Sequence, residues 1–133
     1  MPVRYTFKKA ERLKKRRLIE QLFAEGRSFS CPPLRVYYSI HPVTDQQQVA
    51  YPAQVAFAVP GKYFRKATQR NRIKRLLREA YRLQKHELYA YLRQQGMVLH
   101  WMIIYQGKEI PTFEEISQKM QAVMLRMMQI QEK

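Results

Sequence analysis

The residues with the most chemistry to offer in this chain are cations, and they are bunched. The stretch TQRNRIKRLLREAYR, Thr68–Arg82, holds six arginines and lysines against a single acid, Glu79. The segment ahead of it adds Lys62, Arg65 and Lys66. Guanidinium groups suit phosphate, because their planar fork donates two parallel hydrogen bonds to a pair of oxygens. On a helical wheel the stretch divides. Ile73, Leu76, Leu77, Ala80 and Gln84 gather on one face. Lys74, Lys85, Arg78, Asn71, Arg82 and Arg75 fill an arc away from it, and Arg72 sits further round. The apolar face would anchor a helix and the cations would point outward. Like charges four apart, Lys74/Arg78 and Arg78/Arg82, repel and weaken such a helix. A sequence that keeps this repulsion has a use for the field; the bland alternative is a solvated basic face.

The whole chain repeats the message. Formal net charge is +15 over 133 residues. Lys8–Arg17 carries seven basic residues and one acid, Glu11; Lys62–Lys85 carries ten and one, Glu79. The two windows, at +6 and +9, account for all of the excess. A solubility surface would mix and spread its charges. Two blocks point to a polyanion, either nucleic acid or an anionic membrane.

Other chemistries fare poorly. Metal-dependent hydrolysis needs clustered carboxylates, and the one aspartate, Asp45, stands in a polar connection while Glu114-Glu115 opens a helix. His41, His86 and His100 read as scattered, with His100 a core histidine in a buried strand. No catalytic residue and no metal ligand are assigned. Cys31 is alone, which excludes an intrachain disulfide. No apolar run is long enough to span a bilayer. The N-terminus lacks the apolar core of a secretory signal, so a cytoplasmic location is expected.

The elements that must position these cations follow from periodicity. One domain, 1–133, is expected, with 1–11 a loose or extended N-terminal extension. Arg12–Glu25 reads as a helix closed by Gly26, with Leu18, Ile19, Leu22 and Phe23 on one arc. RSFSCPP, 27–33, reads as a linker. Leu34–His41 alternates as a half-buried strand, Leu34, Val36, Tyr38 and Ile40 on one side and Arg35, Tyr37 and Ser39 on the other. Pro42–Pro52 is a polar connection with room for a short strand. Gln54–Val59 alternates again, placing Ala56 and Ala58 opposite Val55 and Phe57. Thr68 is placed as N-cap of a long helix to Gln94, closed by Gly96. Met97–Tyr105 is apolar on both faces and reads as a central strand. A last helix, Glu114–Gln131, carries Ile116, Met120, Val123, Met127 and Ile130, which suits a core stripe better than a coiled coil. Arg35, Tyr37 and the small Ala56 and Ala58 could form a shallow floor for stacked bases; equally, Tyr37 could pack under a helix.

RNRIKRLLREAYR, Arg70–Arg82, resembles the signature helix of the bacterial ribonuclease P protein subunit, its Arg-Asn-Arg core included. RLKKRRLIEQLFAEG, LRVYY and VAFAV resemble that family's first helix and first strands in order. The resemblance implies an α+β sandwich like the second domain of ribosomal protein S5, in the order α-β-β-(β)-α-β-α, with a left-handed βαβ crossover. It implies a catalytic RNA partner and precursor tRNA as substrate, with the 5′ leader removed by a magnesium-dependent holoenzyme. The protein itself would bind no cofactor, membrane or DNA. By position, Arg70, Asn71, Arg72, Lys74, Arg75 and Arg78 match the signature, and Lys62 and Lys66 the lysines before it; Arg65 lies in the same segment. Phe23 and Tyr37, with Arg35 beside them, match the leader-facing floor. Ile19 replaces a usual phenylalanine, and Ala56 and Ala58 replace a glycine and a serine. A ribosome-associated structural RNA-binding protein would show the same charge, and a peripheral membrane binder could use Lys8–Arg17; stimulation of precursor-tRNA cleavage separates the first from a processing subunit.

Overall fold

The computed structural model describes residues 7–43 and 51–130. The chain runs α1 (Arg16–Glu25), β1 (Arg27–Cys31), β2 (Leu34–Pro42), β3 (Ala53–Ala58), α2 (Ala67–Gln95), β4 (Met97–Tyr105) and α3 (Phe113–Gln129). The four strands form one sheet in the order β1-β2-β4-β3. The β1–β2 and β2–β4 pairs are antiparallel, and β3–β4 is parallel. Strand β4 is therefore interior, which is why its sequence is apolar on both faces. Trp101 and Ile103 face one layer, where α2 and α3 pack. Met102 and Ile104 face the other, where α1 lies with Leu13, Leu18, Ile19 and Leu22.

Helix α2 is long because nothing in 29 residues breaks it. Its buried stripe is Ile73, Leu77, Ala80, Tyr81, Leu88, Tyr89 and Leu92, the spacing of one helix face. Gly96 ends it with φ 66, a left-handed value that few residues other than glycine adopt. Helix α3 starts at a capping box in which Glu115 N–H donates to Thr112 Oγ1 at 3.2 Å and Thr112 N–H donates back to Glu115 Oε1 at 2.9 Å. Its stripe, Ile116, Met120, Val123, Met124 and Met127, is buried as core. Gln84 ties α2 to α3 by donating to Ser117 O and Oγ, each at 3.0 Å. Gly26 is required by close approach: a Cβ there would sit 2.5 Å from Leu22 O.

Five expectations are corrected. The 27–33 linker contains edge strand β1, whose only buried side chain is Phe29, too little for alternation to register. Helix α1 starts at Arg16 rather than Arg12, because Leu13 N–H donates to Val55 O at 2.9 Å and holds Arg12–Leu13 against the free edge of β3. Thr68 does not cap α2; the N-cap position is Lys66, and its side chain makes no capping bond. Of the stretch read as loose, Phe7–Glu11 is seated: Phe7 packs edge-on against Tyr81 at 5.8 Å, and Glu11 is buried. Lys85, placed on the cationic arc, is buried too. The strand considered within Pro42–Pro52 falls largely on 44–50, outside the described residues.

Candidate nucleic-acid interface

Two surfaces carry the expected residues. The first is the sheet face beneath α1. Phe23, half exposed on α1, and Tyr37 on β2 stand with ring centroids 4.8 Å apart and planes tilted by 53°. Arg35 lies over the same tyrosine, Cζ 5.4 Å from its centroid, and its Nε donates to Tyr37 Oη at 3.2 Å. Its Nη2 donates to Ser28 Oγ at 3.3 Å, so the missed strand β1 helps to aim it. All three floor residues expected from sequence therefore meet. Pairing extends the floor sideways: Tyr37 is opposite Met102, which is opposite Ala56; Arg35 is opposite Ile104, which is opposite Ala58. The methionine and isoleucine come between the tyrosine and the alanines because β4 intervenes, an order that strand patterns do not reveal. Tyr37 is also in contact with the small core under α1, so it packs as well as meeting Phe23 and Arg35.

The second surface is cationic. Arg72, Arg75 and Asn71 are exposed on α2, and Lys74 and Arg78 are half-buried. Arg70 turns back, donating through Nη1 to Phe64 O at 2.7 Å and Arg65 O at 2.9 Å. It thereby shapes the loop on which Lys62, Arg65 and Lys66 stand exposed. Lys74 and Arg78 share a hollow of about 230 Å³ with Arg12 and Lys14, floored by Val55, Ala56 and Phe57. The two basic windows, separate in sequence, thus converge. Burial, and then the Arg12 and Arg75 charges, pull the Arg78 guanidinium below its ordinary pKa. Like charge is crowded there, and an anion would relieve it.

A lock that sequence patterns did not reveal enforces the convergence. The Glu11 carboxylate is fully buried and accepts from Lys85 Nζ, from Tyr89 Oη at 2.8 Å and from Lys8 N–H at 2.7 Å. The Lys85 ammonium also lies 5.8 Å from the Phe7 ring centroid and 5.4 Å from that of Tyr89. A lone acid inside a basic run was the available signal. Burial, followed by interaction with Tyr81 and Glu11, raises the Tyr89 hydroxyl far above the ordinary range, so it stays a neutral donor.

The histidines also need correcting. His41 and His100 are neighbours, Nε2 of the first 3.4 Å from Nδ1 of the second. His100 faces α1, on the side opposite Trp101, and lines a hollow instead of sitting in the main core. Burial, then the His41 and Lys15 charges, lower its pKa. Among the described residues no set of three or more histidines, cysteines or carboxylates could hold a metal ion, and no helix is long and apolar enough to cross a membrane.

Fold and site together define a class: a small α+β protein with a concentrated cationic surface and an aromatic pair on the sheet face under its first helix. Comparison with known proteins narrows it. The sequence profile of the Ribonuclease P family matches residues 7–128. The ribonuclease P protein component of Porphyromonas gingivalis is 37% identical over 125 residues, covering 94% of this chain and 88% of its own. That of Chlorobium phaeobacteroides is 35% identical, covering 90% and 86%. The chain belongs to the ribonuclease P protein family. Solved structures share the fold: the RNase P protein of Thermotoga maritima superposes with a TM-score of 0.66 at 24% identity, covering 92% of this chain and 99% of its own. That of Staphylococcus aureus gives 0.66 at 22%, covering 90% and 95%.

Proposed function

We propose that this chain is the accessory subunit of a ribonuclease P holoenzyme, binding a catalytic RNA through its cationic surface and the single-stranded 5′ leader of precursor tRNA through the cleft under α1. The observation that carries the reading is the shared hollow of Arg12, Lys14, Lys74 and Arg78, which joins both basic windows into one field. Phosphate neutralisation there favours association of two large anions that would otherwise repel. Phe23 and Tyr37 offer base-stacking surface, and Arg35 a nearby guanidinium for a phosphate. The RNA, with magnesium, performs the hydrolysis. The protein lowers the magnesium needed by supplying fixed cations of its own, and it works in the cytoplasm, where the transcripts are.

The test is cleavage of a precursor tRNA by a bacterial ribonuclease P RNA at low magnesium, with and without the protein. Faster leader removal with the protein is expected. Equal rates at every magnesium concentration would overturn the reading.

A further inference from the structure

We propose that His41 and His100 form a two-histidine site for a divalent transition-metal ion of the zinc class, with coordination positions left open to an outside ligand. The spacing is the first argument. The facing nitrogens are 3.4 Å apart. That is long for a hydrogen bond, whose nitrogen donors usually approach within about 3.2 Å. It is the separation that a tetrahedral ion imposes: two zinc–nitrogen bonds of about 2.0–2.1 Å at the tetrahedral angle put the nitrogens about 3.3–3.4 Å apart.

Rigidity is the second argument. Both histidines stand on paired strands. Ser39 is directly opposite His100 in the β2–β4 register, and His41 is two residues beyond Ser39 on the same face. Ser39 Oγ lies 3.4 Å from His41 Nδ1. Nδ1 of His41 is thus the nitrogen on the Ser39 side and Nε2 the one that faces His100.

Access is the third. His41 is exposed, and the pair opens into a hollow of about 250 Å³ that Gln21 and Glu25 also line. Lys15, whose charge reaches His100, opposes a cation there, and Glu25 stands on the wall of the same hollow. Among the described residues no third histidine, cysteine or carboxylate closes the set. Water or a phosphate oxygen would complete the coordination. The site lies on the sheet face that carries Tyr37, yet the proposal stands on the pair alone and not on the leader reading.

The test uses the full chain without RNA. Cobalt(II) is titrated while its visible absorption is followed, and zinc is titrated while the thermal unfolding midpoint is followed. Saturable one-to-one binding and a zinc-dependent rise in the midpoint are expected. His41→Gln and His100→Gln should each abolish both, and His86→Gln, on α2, should abolish neither. Ser39→Ala should weaken binding less than either histidine substitution. Circular dichroism without metal establishes that each variant is folded. No saturable binding, binding undiminished in the His41 or His100 variant, or uptake of inorganic phosphate by the pair in place of metal would each overturn the assignment.

Discussion

Arg70 and Arg72 are two residues apart and have different jobs. The guanidinium of Arg70 is turned to the carbonyls of Phe64 and Arg65, whereas that of Arg72 is exposed. Arg72→Ala and Arg75→Ala should therefore weaken RNA binding and flatten its salt dependence, by about 0.7–0.9 log–log units per lost phosphate contact. Filter binding across a salt series measures the slope, and an unchanged slope in both variants would deny phosphate contact. Arg70→Ala should instead act through the loop that carries Lys62, Arg65 and Lys66. In the cleft, Phe23→Ala and Tyr37→Ala each remove a stacking surface worth about 1–3 kcal/mol per base. Affinity for leader-bearing precursor should fall while affinity for mature tRNA holds. Equal losses for both substrates would remove the cleft from leader recognition.

At the scale of elements, the Glu11 lock decides where the N-terminal segment lies. Removing one partner of a buried ion pair strands the other, at about 3–5 kcal/mol. Glu11→Ala should lower stability by that order, measured by urea unfolding. Replacing both partners with apolar groups, Glu11→Leu with Lys85→Met, should recover most of it. If Glu11→Ala left the unfolding midpoint unchanged, the lock would have no energetic weight. The elements differ in how plainly the sequence announced them. Helices α2 and α3 repeat apolar residues at helical spacing and β4 is a continuous apolar run, so their existence was legible. Strand β1 has a single buried side chain, Phe29, and only the neighbouring β2 makes it a strand. The start of α1 failed for a related reason. Arg12 and Leu13 favour helix locally, but the open edge of β3 offers Leu13 N–H a carbonyl.

For the molecule as a whole, the basic hollow joins residues near the N-terminus with residues from the middle of the sequence. Arg12 and Arg78 repel across it, which predicts coupling. Arg12→Ala and Arg78→Ala relieve the same repulsion, so the double variant should gain less stability than the single effects imply. A double-mutant cycle by urea unfolding should give a non-zero interaction at low salt, of the small size usual for exposed charge pairs, shrinking as salt screens it. Strict additivity at low salt would mean that the two guanidinium groups do not feel each other.

By itself, the sequence determined that a leucine-anchored helix presents a cationic face, that Arg35 and Tyr37 share a strand face, and that one acid stands in each basic block. Those facts follow from side-chain periodicity, which is local and therefore readable. Only the tertiary structure decided that the two blocks become one surface, that Lys85 turns inward to Glu11, that Met102 and Ile104 widen the floor, and that two distant histidines face each other. These outcomes depend on which strand lies beside which. Strand order is set by competition among whole packings for the same buried area, and no single stretch of chain encodes it.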